Sequence, residues 1–293
     1  MDDTAGWSID ADLAIPPMKT LGWEIDTVPW RAPGVDWDRY DAVYIGTPWD
    51  YPQDVARFIR MLEQIDSSHA VLVNDLGLVR WGIPKTYLRD LQARGADIVP
   101  SVWCDDLSPG RINGFFDALS SDRIVIKPVV STNATDTFLL DRDDAVENEP
   151  ELLSKFSGRE FVVQPFIENI RTEGEFSLFY FSGAYSHAIQ KIPRYRDFRV
   201  QEEHGASIVA VEPEASLIEC ADRILKLVEP SPVYARCDLV RGPDGRFLLM
   251  ELELIEPSMY LRMHPDAPAR FASAFDLYVR EKTRPAAGGL LQR

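Results

Sequence analysis

Cysteine is scarce in these 293 residues: Cys104, Cys220 and Cys237 stand apart, without the spacing of a zinc site or a disulfide framework. Basic residues are outnumbered, 31 Lys and Arg against 47 Asp and Glu, which leaves a formal charge of −16. That balance argues against a nucleic acid partner, because neutralising a phosphate backbone takes clustered cations. No apolar run approaches the length of a membrane span, and no internal repeat is found. With no signal peptide at the start, a reducing cytoplasm is the expected setting. Disorder is excluded by 45% hydrophobic and 11% aromatic content, and the length suits two or three subdomains rather than one core.

Residues 1–82 read as a parallel α/β unit. A helix is expected near Asp10–Leu21, strands at Glu24–Trp30, Ala42–Gly46 and Ala70–Val73, and a helix near Asp54–Gln64. The run Gly46–Pro52 follows a strand directly, where open parallel sheets bind ligands; it reads equally as a proline-stiffened turn. From Pro84 a helix carrying Lys85 is expected to close at Gly95. A strand Ile98–Trp103 and a polar, acidic helix lead to the buried strand Arg123–Pro128, in which Lys127 stands near the end. The small or short polar residues Ser131–Thr135 then have the composition of a loop that lies over phosphates. Further on come a strand Glu160–Phe166, a meander of Ser177–Phe181 and Ser186–Ile192, a polar and mobile loop Pro193–Ala206, and helices at Ala215–Val228 and Ala267–Lys282. The tail 283–293 is rich in Gly and Pro.

The stretch Tyr234–Glu256 carries the clearest chemical signal. Two β-type runs flank Gly242-Pro243-Asp244-Gly245, a hairpin turn signal that places Asp238 near Glu251. Alternation along the second run puts Leu249, Glu251 and Glu253 on one face. Three converging carboxylates repel one another unless a divalent hard cation neutralises them. The other reading is a solvated acidic face.

The order of these parts resembles the ATP-grasp superfamily, and within it the glutathione synthetase-like carboxylate-amine ligases; the resemblance covers about Trp81–Glu256. It implies an α/β (α+β) ATP-grasp fold, with an N-terminal parallel α/β domain at 1–82, a small central domain at 83–166 and a C-terminal antiparallel-sheet domain at 167–282. By the same resemblance Lys85 and Lys127 are directed at the phosphates of ATP. Gln164, Pro165, Phe166 and Ile167 form the hinge that reads the adenine edge, Glu168 or Glu175 holds the ribose, and Leu249 lies under the base. Lys191 sits near the γ-phosphate, Arg199 and Gln201 near the reacting centre. Arg236 holds the acylphosphate or oxyanion, and Asp238, Glu251 and Glu253 hold two Mg²⁺ ions.

The activity implied is ATP-dependent coupling of a carboxylate to an amine through an acylphosphate, on amino-acid-like small molecules. The cycloserine-forming and small dipeptide ligases are close in length and motif style, and a homodimer is admitted. The alternative is a non-catalytic ATP-binding regulatory protein, whose mark would be missing lysines or metal ligands. Three departures stand out. Ser131–Thr135 contains no glycine, Glu253 replaces the family's asparagine, and the family's opening strand has no counterpart, so a start upstream of Met1 is expected.

Overall fold

Short strands with apolar residues at every second position build three sheets, and the cleft lies between two of them. The computed structural model describes Trp7 and residues 9–284. In chain order the strands are β1 (Ala42–Tyr44), β2 (Val71–Val73), β3 (Val102–Cys104), β4 (Arg123–Pro128), β5 (Phe138–Asp141) and β6 (Phe161–Pro165). They continue with β7 (Glu175–Phe181), β8 (Ala184–Ile192), β9 (Ser207–Ala210), β10 (Tyr234–Arg241) and β11 (Phe247–Glu253).

β1 and β2 pair in parallel, Ala42 opposite Val71 and Tyr44 opposite Val73. The helix Val55–Asp66 covers them with Phe58, Leu62 and Ile65, and Asp54 caps it by accepting from the Arg57 N–H at 3.0 Å. The expected strand Glu24–Trp30 does not form. Ile25 is out of phase with Val28 and Trp30, Pro29 lacks a donor, and Ile25 stays exposed.

β3, β6, β4 and β5 form an antiparallel sheet in that order. On β4, Ile124 and Ile126 turn into a core with Phe116, Phe156 and Phe161, beneath the helices Ile112–Leu119 and Ala145–Phe156. Val125 and Lys127 therefore face the other way, toward the cleft. β5 and the helix Ala145–Phe156 lie beyond the elements expected from the sequence: the strand is four residues long, and the helix contains Pro150.

β11, β10, β7, β8 and β9 form the third sheet, also antiparallel. Ala235, Cys237 and Leu239 of β10 pack on Leu217, Ala221 and Ile224 of the helix Ala215–Leu225. That leaves Arg236 and Asp238 on the cleft face. The hairpin turn is as expected, with Gly245 at φ +83°, a conformation that costs glycine nothing. The last helix, Ala267–Thr283, packs Phe271 and Phe275 against Ala14, Met18 and Val73, so the C-terminal helix shares a core with the N-terminal unit.

Candidate active site

One cavity collects Lys85, Lys127, Gln164 to Ile167, Glu175, Lys191, Arg199, Arg236, Asp238, Glu251 and Glu253. Its polar floor is a set of buried ion pairs. Lys85 Nζ lies 3.0 Å from Glu251 and donates to the Ser131 carbonyl at 2.9 Å. Lys191 Nζ lies 2.8 Å from Glu175 and 3.4 Å from Asp238. Arg236 grips Asp238 through Nε at 3.0 Å and Nη2 at 2.9 Å, and Nη2 also reaches Glu253. Gly174 makes the approach of β7 and β8 possible: at φ +96°, a Cβ there would stand 2.5 Å from the Lys191 carbonyl oxygen.

The electrostatics follow from burial opposed by these partners. Burial raises the Asp238 carboxyl, but Arg236 and Lys191 outweigh it and bring the group down to about 2. Burial and the Arg236 charge depress Lys191, yet Asp238 and Glu175 lift it to about 12. Glu251 is likewise held below the usual range, with burial overcome by Lys85 and Lys127. Glu253 goes the other way, to about 7, because burial and the charges of Glu251 and Asp238 exceed the help from Arg236. Lys127 is depressed, chiefly by burial, and among the described residues it forms no ion pair.

Asp238 pairs in register with Glu251, and Arg236 with Glu253, so all three carboxylates lie on the cleft face. They do not form a bare cluster of three: among the described residues no group of acids, His or Cys is arranged to hold an ion. Each carboxylate is instead neutralised by Lys85, Lys191 or Arg236. The donor set still suits a hard cation, being all oxygen and opening on the cavity.

Several expectations change in detail. Leu249 does not share a face with Glu251. A β-bulge lets Asp238 face Glu251 while the next residue, Leu239, faces Leu249, so Met250 is an extra residue and the alternation inverts. Leu249 is fully buried in the core on the helix side, and its backbone pairs with Asp97 and Val99. Met250 lines the cavity in its place, beside Phe166, Ile167, Ile170 and Leu248. Lys85 precedes its helix, Tyr87–Ala93, rather than lying on it, and its N–H donates to the Val129 carbonyl at 2.8 Å.

Of the two acids expected at the ribose, Glu175 is buried on the floor, whereas Glu168 is exposed and paired with Arg123 at 3.0 Å. Arg199 lines the cavity but is clamped by Asp197 of its own loop, at 3.1 and 2.9 Å. The loop Pro193–Ala206 is docked through Val200 and Phe198 onto Phe166 and Leu248, apolar anchors that its polar composition hides. Gln201 lines the cavity as well, with a buried Oε1 that lacks a partner among the described residues. Ser131 to Ala134 also border it, with Asn133 and Ala134 at φ +52° and +54°, where a glycine is usual. From Gly46–Pro52, Trp49 and Tyr51 reach the cavity. Sequence reasoning missed Met250, Glu256 and Tyr260; a carboxylate inside Leu254-Ile255-Glu256-Pro257 was the available signal for Glu256.

A cleft held between a four-stranded and a five-stranded antiparallel sheet, with Lys127 of one facing the carboxylates of the other, defines an ATP-grasp enzyme. The ATP-grasp ligase PsnB, solved with a minimal precursor, has this fold at a TM-score of 0.62 and 18% identity, over 93% of this chain and 95% of that one. Residues 1–74 match the family described as "D-cycloserine synthetase DcsG, N-terminal domain". The cycloserine biosynthesis protein DcsG of Streptomyces lavendulae is 30% identical, over 91% of this chain and 94% of its own length. A crystal structure of D-cycloserine synthetase DcsG superposes at a TM-score of 0.81, with 28% identity over 91% of this chain and 93% of that chain. The chain belongs to the D-cycloserine synthetase DcsG family of ATP-grasp ligases. No helix among the described residues is long and apolar enough to cross a membrane.

Proposed function

We propose that this chain activates the carboxylate of an amino-acid-like small molecule with ATP and joins it to an amine, closing a ring within one substrate molecule. The observation that carries the reading is Lys127. It is a half-buried cation on the cleft face of β4 that has no ion partner among the described residues, opposite a sheet whose carboxylates are already neutralised. Such a lysine is suited to a polyanion.

In this reading Lys85 and Lys127 take the phosphates, Met250 and Phe166 sandwich the base, and the hinge reads its edge. Pro165 has no N–H and that of Phe166 is bonded to the Arg123 carbonyl at 3.0 Å, which leaves the Ile167 N–H as the hinge donor. Asp238, Glu251 and Glu253 would hold Mg²⁺, two ions in all, which would supply charge neutralisation at the triphosphate. Lys191 and Arg199 balance charge on the transferring phosphoryl group. Arg236, a planar fork, holds the acyl oxygen. Phosphorylation makes the carboxylate oxygen a leaving group, and the docked loop Pro193–Ala206 keeps water from the acylphosphate.

The test is an ADP-release screen against amino acids and their O-substituted derivatives, with hydroxylamine to trap an acylphosphate. Substrate-dependent ADP and a hydroxamate are expected. Absence of ADP release across the panel, in protein that binds ATP, removes the ligase reading.

A further inference from the structure

Glu256 is a buried acid of the cavity that none of these roles uses. It follows β11 on the way to Ser258 and Tyr260 and is 8% exposed. Its backbone carbonyl is fixed by the Trp49 indole N–H at 2.9 Å. Its carboxylate differs from every other acid on the cavity floor: among the described residues no hydrogen bond or ion pair ends on it. Lys85 and Arg236 act on it only across a distance, since they are engaged with Glu251 and with Asp238 and Glu253. Its oxygens open on the cavity instead of being sealed in the core, and burial pushes its proton affinity well above the usual range, with the Glu253 charge adding to it.

The surroundings say what suits such a carboxylate. Trp7, Trp49 and Tyr51 line the same cavity, and the Trp7 and Trp49 rings stand 5.0 Å apart. Aromatic faces with an unpaired carboxylate favour a compact cation, because the ring quadrupole and the charge act in the same sense. An additional anion is disfavoured, and a metal is poorly served where the neighbours are rings.

We infer that Glu256 is a specificity-determining residue that receives the ammonium of the substrate, beside Trp49 and Tyr51, while the substrate carboxylate lies toward Arg236. The inference rests on the ligase reading above and narrows its substrate class to acids that carry a free primary amine. It assigns the end of the cavity built by the N-terminal unit to amine recognition and the sheet floor to phosphate chemistry.

The experiment pairs each amino acid that releases ADP with its N-acetyl counterpart, in the wild type and in Glu256→Gln. The wild type is expected to prefer the free amine at least tenfold in kcat/KM. In Glu256→Gln, an isosteric change, that preference should collapse to within about threefold through a higher KM for the amine, with KM for ATP unchanged. Equal turnover of both partners by the wild type overturns the inference while leaving the ligase reading intact. So does an equal loss on both partners in the variant, which marks Glu256 as structural. Should no carboxylate release ADP, the ligase reading fails and this inference with it. Glu256→Asp, which keeps the charge, serves as the folding control and is expected to retain part of the preference.

Discussion

At the scale of single residues, Glu253 stands where the resemblance to glutathione synthetase-like ligases implies asparagine, and its carboxyl is lifted to about 7 by burial and its acidic neighbours. Asparagine offers the same oxygen without the repulsion, while Arg236 keeps its bonds to Asp238. Glu253→Asn is therefore expected to hold ATP affinity at or above the wild-type level and to lose less turnover than Glu253→Ala at saturating Mg²⁺. Equal losses in the two variants would assign Glu253 a role other than ligation.

His187 gives a second residue-level expectation, this one in stability. The ring is buried, stacked on Phe179 at 4.3 Å, with Nε2 bonded to the Met259 carbonyl, and burial lowers it to about 4. Its folded value is below that of the unfolded chain, near 6.5, so the unfolded state binds the extra proton between the two. Stability from this group is therefore complete above about pH 6.5 and is lost as pH falls toward 4, by about 3 kcal/mol. Glu253 slopes oppositely over part of this range, so the contribution has to be read as a difference. Urea unfolding of wild type and His187→Gln at pH 7 and pH 4 should show a smaller pH-dependent loss in the variant.

At the scale of elements, the lesson lies in β11. Period-two reading placed Glu251 and Glu253 on the cleft face, and placed Asp238 opposite Glu251, because pairing register and alternation are local properties. The same rule misplaced Leu249, since a bulge inserts one residue and inverts the face beyond it, and no residue in Phe247–Glu253 announces a bulge. On β4 the strand itself was legible, but its faces were not: Val125 is as apolar as Ile124 and Ile126, and only the helices packed on one side turn Lys127 to the cleft. Short elements without a partner in view, such as β5 and β9, were illegible because their existence depends on neighbours distant in sequence. The loop Pro193–Ala206 is similar, as its docking rests on Val200 and Phe198 finding a cluster contributed by other strands. The bulge itself makes a prediction. Leu249→Ala should destabilise by about 2–5 kcal/mol with KM for ATP unaffected, whereas Met250→Ala should raise KM for ATP several-fold at little cost in stability. Thermal unfolding and ATP titration of the two variants read both quantities, and the reverse pattern would return Leu249 to the base site.

For the whole molecule, the decisive joint is the one between the parallel unit and the sheet that carries the carboxylates, and Asn74 makes it. Lying just beyond β2 and fully enclosed, it donates to the Tyr234 carbonyl at 3.0 Å and the Leu254 carbonyl at 2.9 Å, and it accepts from the Val233 N–H at 2.6 Å. Tyr234 answers from the other side, its hydroxyl bonded to the Val73 and Ile255 carbonyls at 3.1 and 2.8 Å. These bonds set the N-terminal unit, with Trp49 and Tyr51, against the end of β11 and Glu256. Asn74→Leu removes both donors and the acceptor at once and leaves the Val233 N–H and the Tyr234 and Leu254 carbonyls unpaired away from water. A loss of about 2–4 kcal/mol is expected, visible as a lower urea midpoint. The consequence for function should be asymmetric. Lys85, Lys127 and the hinge lie outside the joint, so ATP affinity should change little, while KM for the amine-bearing acid rises because the two walls that hold it no longer keep a fixed spacing. Equal weakening of ATP and of the acid would show that the joint supports the fold as a whole rather than the alignment of its two halves.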